Sequence, residues 1–128
     1  MDAIVKTHLL VVGNKKTLSG DSLNELLAEG FDITYTQRWN TIRKQTQNTA
    51  WQNYVILVDG DNTSTSLAEM VMSIRKEAQT NVLLIFTSRF RMNALAHALQ
   101  AGFDEFLAKP VSKDAICALL NRINIETT

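Results

Sequence analysis

Short apolar runs recur along this chain at intervals that a helix fills, and that alternation constrains the fold more than any other feature. Residues 7–13 (THLLVVG), 32–36 (DITYT), 54–59 (YVILVD), 81–87 (NVLLIFT) and 104–108 (DEFLA) read as five strands. Three of them are apolar nearly throughout, the pattern of strands covered on both faces. Between the runs, apolar residues fall at helical spacing. Leu23, Leu26 and Leu27 form one stripe ahead of Gly30, a residue suited to a left-handed helix stop. Leu67, Met70, Val71 and Ile74 form another, and Met92, Leu95 and Leu99 a third ahead of Gly102. Ile116, Leu119, Leu120 and Ile123 follow Ser112, which suits an N-cap. These stripes are expected to face the core. From Trp39 to Asn48 only Trp39 and Ile42 offer burial, so the second helix is expected to be short, with Arg38, Arg43 and Lys44 on a solvated face.

Strands that alternate with helices imply a parallel sheet, because each crossover returns the chain to the same end of the sheet, right-handedly. The expected fold is α/β: a doubly wound, five-stranded parallel sheet in the order 2-1-3-4-5 with helices on both faces. Ligand sites in open sheets of this kind lie at the carboxyl ends of the strands. That edge gathers Gly13 and Asn14 after the first strand, Asp59 at the end of the third, Thr87 at the end of the fourth and Lys109 after the fifth.

Composition bounds the rest. With 128 residues, 45% of them hydrophobic, the chain fills one core, and residues 1–128 are read as a single domain. Thirteen basic residues balance thirteen acidic ones, so no overall field draws it to nucleic acid or to an anionic membrane. The longest apolar runs fall far short of the roughly 20 residues that span a bilayer. The start, MDAIVKTH, lacks the features of a secretory leader, and a cytoplasmic protein is expected. The lone Cys117, in AICALL, excludes an internal disulfide and reads as a small core residue. His8 and His97 lack metal-ligand spacing, and Trp51 and Tyr54 read as packing residues or a surface patch rather than a stacking platform. No metal site is expected.

Asp59 lies in YVILVDGDNTS, and Asp-Gly and Asp-Asn are also strong turn formers. Its companions favour a site over punctuation. A carboxylate, a hydroxyl and an ammonium at one sheet edge suit a phosphoryl group: Asp59 as nucleophile, Thr87 and Lys109 on the equatorial oxygens.

Asp59, the Thr87-Ser88 pair and FLAKPVSKDAI around the fifth strand resemble the receiver domains of two-component response regulators. The resemblance covers essentially the whole chain. Its most specific element is Lys109-Pro110, with Thr87 lying 22 residues before Lys109. It implies that Asp59 matches the residue that takes a phosphoryl group from a histidine kinase in a phosphorelay. It also implies that Thr87 and Lys109 contact that group, that Phe106 matches an aromatic that reorients on activation, and that the bond before Pro110 is cis. The sequence departs from the family after the first strand. Receivers carry a pair of acids there, which with the acceptor Asp holds Mg²⁺; here Gly13 and Asn14 stand in VVGNKK. Replacing two carboxylates by a hydrogen and an amide weakens Mg²⁺ strongly. Lys15 and Lys16 follow and are expected in solvent, while Asn62 and Thr63 replace the usual Met-Pro pair. Asp61 and Arg89 flank the acceptor. An ion pair from Arg89 to Asp61 or Asp59 is weighed equally against an arginine extended into solvent, and Asp61 is a second candidate for restoring metal affinity.

The expectation is a pseudo-receiver: a signalling module without a cofactor or enzymatic activity, acting through protein contacts independently of phosphorylation. Its expected contact face is the fourth helix, fifth strand and fifth helix, around Phe106, His97 and Gln100, where the family meets a protein partner or a second receiver. A histidine kinase and a fused output domain are further candidate partners. Two alternatives stand beside it. One is a working receiver phosphorylated at Asp59, with Mg²⁺. The other is a flavodoxin-like electron carrier, suggested by the loop GNKKTLSGDS, which matches no Walker A spacing.

Overall fold

The computed structural model describes residues 8–18, 20–36, 54–61, 67–77, 82–89 and 92–127, and for residues 54, 77, 82 and 122–127 the description is confined to the backbone. The strands are β1 (His8–Val12), β2 (Asp32–Thr36), β3 (Tyr54–Asp59), β4 (Val82–Ser88) and β5 (Glu105–Ala108). The helices are α1 (Gly20–Ala28), α2 (Leu67–Glu77), α3 (Met92–Ala101) and α4 (Lys113–Thr127). The expected helix from Trp39 to Asn48 lies outside the described residues, as do Trp51, Asn62 and Thr63. Helices expected third, fourth and fifth are therefore α2, α3 and α4. Strand ends fall within one residue of the expected ones, apart from shared exact ends.

All four strand pairings are parallel, in the order β2-β1-β3-β4-β5. The doubly wound fold is therefore the one expected. Successive side chains of a strand point to opposite faces, and both faces are apolar here because both are covered. Leu9, Val11, Val55, Leu57 and Ile85 pack with Leu26 of α1 and Ile116 of α4. Leu10, Val12, Ile56, Val58, Leu84 and Phe86 pack with Met70, Val71 and Ile74 of α2 and Ala98 of α3. Among the described residues, two helices on each face thus cover the sheet.

The helix ends follow the residue chemistry. Gly30 and Gly102 have φ of 93° and 101°, the left-handed conformation that closes a helix. In each case the following residue's N–H reaches back to the last turn, Phe31 to Leu26 at 3.1 Å and Phe103 to Ala98 at 3.1 Å. The Ser112 hydroxyl accepts from the Ala115 N–H at 3.1 Å and caps α4.

Two expected core stripes differ. On α3, Met92, Leu95 and Leu99 are exposed, at 81%, 39% and 56%. Ala94, Ala98 and Ala101 face the sheet instead. The sequence MNALAHALQA is apolar on two sides, and the side of small residues lets the helix approach the sheet closely. On α1, Leu26 is fully buried and Leu23 half-buried, but Leu27 is exposed. The Ile123 side chain is not described. Cys117 is half-buried, at the margin of the core.

A methyl group at Gly102 would stand 3.1 Å from Val71 Cγ1, whereas one at Gly30 would meet nothing within 4 Å. Gly30→Ala is expected to cost about 1 kcal/mol from backbone strain alone. Gly102→Ala should cost more, measured by urea denaturation of both variants.

Candidate functional site

The sheet register sets the site. Asp59 ends β3 directly beside Thr87 of β4, and both are fully buried. Leu18, after the β1–α1 loop, forms an isolated parallel bridge with Val111, just past β5. This bridge brings the loop after β1 and the segment after β5 together over the end of β3. The Lys109–Pro110 peptide bond in that segment is cis.

Asp59 is held on both oxygens. The Lys109 ammonium lies 2.8 Å from Oδ1 and donates to Oδ2 at 2.9 Å. The Thr17 hydroxyl donates to Oδ2 at 2.7 Å, and the Asp61 N–H donates to Oδ1 at 3.0 Å. A buried carboxylate without such partners would be costly, and these donors keep it charged in place. Lys109 also reaches Asp61 Oδ2 at 3.1 Å, so one ammonium bridges two carboxylates. Burial alone would lower the pKa of Lys109, but its hydrogen bonds to, and the charges of, Asp59 and Asp61 outweigh it and hold the pKa above the ordinary lysine value.

Gly13 closes the other side. A Cβ there would stand 2.5 Å from Thr17 Oγ1 and 2.9 Å from Asp59 Cβ, so the backbone approaches in a way only glycine permits. Asn14 sits at the rim, its Oδ1 accepting from the Lys16 N–H at 2.8 Å. Lys15 and Lys16 are exposed. Arg89 approaches Asp61 through its backbone, the N–H donating to Oδ2 at 3.1 Å. Among the described residues its guanidinium forms no ion pair with either carboxylate. Lys109 is the cation that contacts both of them.

Thr87 is aligned with Asp59, yet among the described residues its buried Oγ1 has no hydrogen-bond partner. On the opposite face, Phe86 packs directly on Gly60, where a Cβ would collide with its ring. The Phe86 centroid lies 5.2 Å from that of Phe103 and 6.1 Å from that of the half-buried Phe106. His97 and Gln100 are exposed on α3, away from this edge. His8 pairs with Asp32 at the other end of the sheet, Nδ1 to Oδ2 3.1 Å. Burial raises the pKa of Cys117, against a reactive thiol.

No known family model matches the sequence, and neither does any curated protein. Solved structures do match. A response regulator receiver domain (CheY-like) from Methylobacillus flagellatus superposes with a TM-score of 0.71 at 20% identity, covering 94% of this chain and 99% of that one. A response regulator from Thermotoga maritima gives 0.70 at 16% identity, over 93% and 98%. One from Desulfuromonas acetoxidans gives 0.69 at 20%, over 95% and 99%. The fold is that of a receiver domain. Identities this low carry the receiver fold alone, and the chemistry rests on the residues. At the carboxyl edge of this receiver fold, Asp59, Thr87, Lys109, Asp61 and Gly13 meet, and Arg89 joins by its main chain. Phe106 stands apart, joined to the edge through Phe86. Thr17 was not singled out from the sequence. Its one signal there is Gly13, whose missing side chain makes room for another residue beside the carboxylate.

Removing the ammonium leaves Asp59 charged and buried. Lys109→Met should lose about 3 kcal/mol, and Asp59→Asn/Lys109→Met should recover much of it, because a neutral pair needs no counter-charge. Since folding raises the pKa of Lys109, its contribution is complete below the ordinary lysine pKa and falls as pH rises through the raised value. The stability gap between wild type and Lys109→Met should therefore narrow only at strongly alkaline pH, as urea denaturation across pH would reveal.

Proposed function

We propose that this chain is a receiver-type signalling module that works through protein contacts without phosphorylation of Asp59. The observation that carries this is the Asp59 carboxylate, engaged on both oxygens by Lys109, Thr17 and the Asp61 N–H. Mg²⁺, which the receiver resemblance implies, does not fit these residues. Position 13 offers no side-chain oxygen and no room for one, Asn14 supplies a neutral amide, and an ammonium sits between the two carboxylates. Among the described residues, no cluster of three His, Cys, Asp or Glu could hold a metal. Mg²⁺ needs several unobstructed hard oxygens, and a lysine in their midst supplies the neutralising charge instead. On this reading the module has no cofactor and no enzymatic activity.

The partner surface is the face of α3, β5 and α4. Its support is the exposed stripe of Met92, Leu95 and Leu99, flanked by His97 and Gln100. An apolar stripe in water gains from being covered, and a protein partner or a second receiver would do so. A histidine kinase or a fused output domain is a partner of the same kind. Among the described residues no helix is long and apolar enough to cross a membrane.

One observation favours the working receiver as a second reading. Among the described residues the buried Thr87 hydroxyl lacks a partner, and an oxygen of a phosphoryl group on Asp59 would satisfy it. No comparable observation favours the electron carrier: Thr17, from the loop GNKKTLSGDS, donates its hydroxyl to Asp59.

Incubation with acetyl phosphate and Mg²⁺ separates the readings. We expect no mass increase by intact-protein mass spectrometry; an increase that disappears in Asp59→Ala would establish the working receiver. For the surface, Leu95→Glu/Leu99→Glu should abolish self-association in light scattering, or partner capture. Association equal to wild type would remove this face from the function.

A further inference from the structure

The β1–α1 loop sets Thr17 on Asp59 with a geometry that bears on how a cation would reach the pocket. Thr17 is 2% exposed, and its hydroxyl donates to Asp59 Oδ2 while its oxygen accepts from the Asn14 N–H at 3.3 Å. Its own N–H donates to the Asn14 carbonyl at 3.0 Å, so the loop fixes it from both sides. An ionised carboxylate has about four lone-pair sites. Lys109 takes one on each oxygen, the Asp61 N–H a second on Oδ1 and Thr17 a second on Oδ2. The same hydroxyl stands 2.5 Å from where a Cβ of residue 13 would be. A side chain at 13 and Thr17 in this position exclude each other.

We propose that Thr17 is the positioning residue that closes Asp59 to a divalent cation. The inference rests on the reading of this pocket as one that works without phosphorylation, and it identifies what enforces that state. Loss of acids at 13 and 14 removes metal ligands; Thr17 in addition engages the oxygen of Asp59 that faces their loop. Restoring an acid alone therefore leaves the pocket closed. Removing the Thr17 hydroxyl as well opens one lone-pair site on Oδ2, beside the one that Lys109 keeps, and so offers a cation an anionic oxygen of Asp59 together with the acid at residue 14, the kind of ligand Mg²⁺ selects.

The test uses the full chain and Mg²⁺ alone, followed by titration calorimetry and by the change in Tm. Wild type, Asn14→Asp, Asn14→Asp/Thr17→Ser and Asn14→Asp/Thr17→Ala are compared. The expected result is that Asn14→Asp/Thr17→Ala binds roughly tenfold or more tighter than Asn14→Asp, the scale on which neighbours of metal ligands act. Its Tm should rise with Mg²⁺. Thr17→Ser, which keeps the hydroxyl, should return Asn14→Asp/Thr17→Ser to the weak affinity of Asn14→Asp. Equal affinity of Asn14→Asp and Asn14→Asp/Thr17→Ala, or no binding by either, would overturn the role of Thr17. Should the double variant not fold, Asn14→Asp/Thr17→Val, which keeps the shape of Thr17 without its hydroxyl, carries the same comparison, tighter binding than Asn14→Asp supporting the role and equal binding overturning it. Labelling of wild type by acetyl phosphate would instead defeat the reading of the pocket, so the two failures are distinguishable.

Discussion

A single ammonium organises the carboxyl edge of the sheet. Lys109 follows β5 and binds carboxylates at the end of β3 and in the turn beyond it, Asp59 and Asp61. Because Asp59 is fully buried, the pair is a structural requirement before it is anything else. Losing Lys109 strands a carboxylate without water to solvate it. The loop after β1 joins the same group through Thr17, and the loop after β4 through the Arg89 N–H on Asp61. Four strand ends are therefore fastened to one charge cluster. The sheet order puts them within reach, and the charges keep them there.

Much of this was legible in the sequence because it depends on period and position. Apolar runs separated by helical stripes dictate a parallel sheet, and a parallel sheet places Asp59, Thr87 and Lys109 on one edge whatever their chemistry. The contacts between side chains were less legible. Lys109 and Arg89 are both cations at the rim, and nothing in their spacing says which reaches the carboxylates. The one after β5 is the one that contacts both. Thr17 could not be found from its own surroundings, since a threonine in a polar loop is ordinary. α3 was misread for a related reason: leucine and methionine outweigh alanine in a stripe count, but a helix lying close on a sheet needs the small residues beneath it.

The site and the outer face belong to different layers of the sheet. Asp59 and Thr87 follow the strand parity of Leu57 and Ile85, toward the α1 and α4 side. Phe86 follows Leu84, toward α2 and α3. Gly60, the residue after Asp59, touches Phe86, which contacts the ring of Phe106. Charge chemistry and apolar packing meet at a single peptide.

That peptide has no slack. Gly60 donates its N–H to the Thr87 carbonyl at 2.8 Å, and its α-carbon lies against an aromatic ring wedged on Phe103 and Phe106. A rigid ring cannot absorb a displacement by changing shape, as a leucine or methionine could by changing rotamer. Movement of the backbone beyond Asp59 is thus delivered as movement of a plate, and a plate has two edges. The mechanical stiffness of phenylalanine, rather than its hydrophobicity, makes the floor of the pocket and the aromatic on β5 parts of one lever.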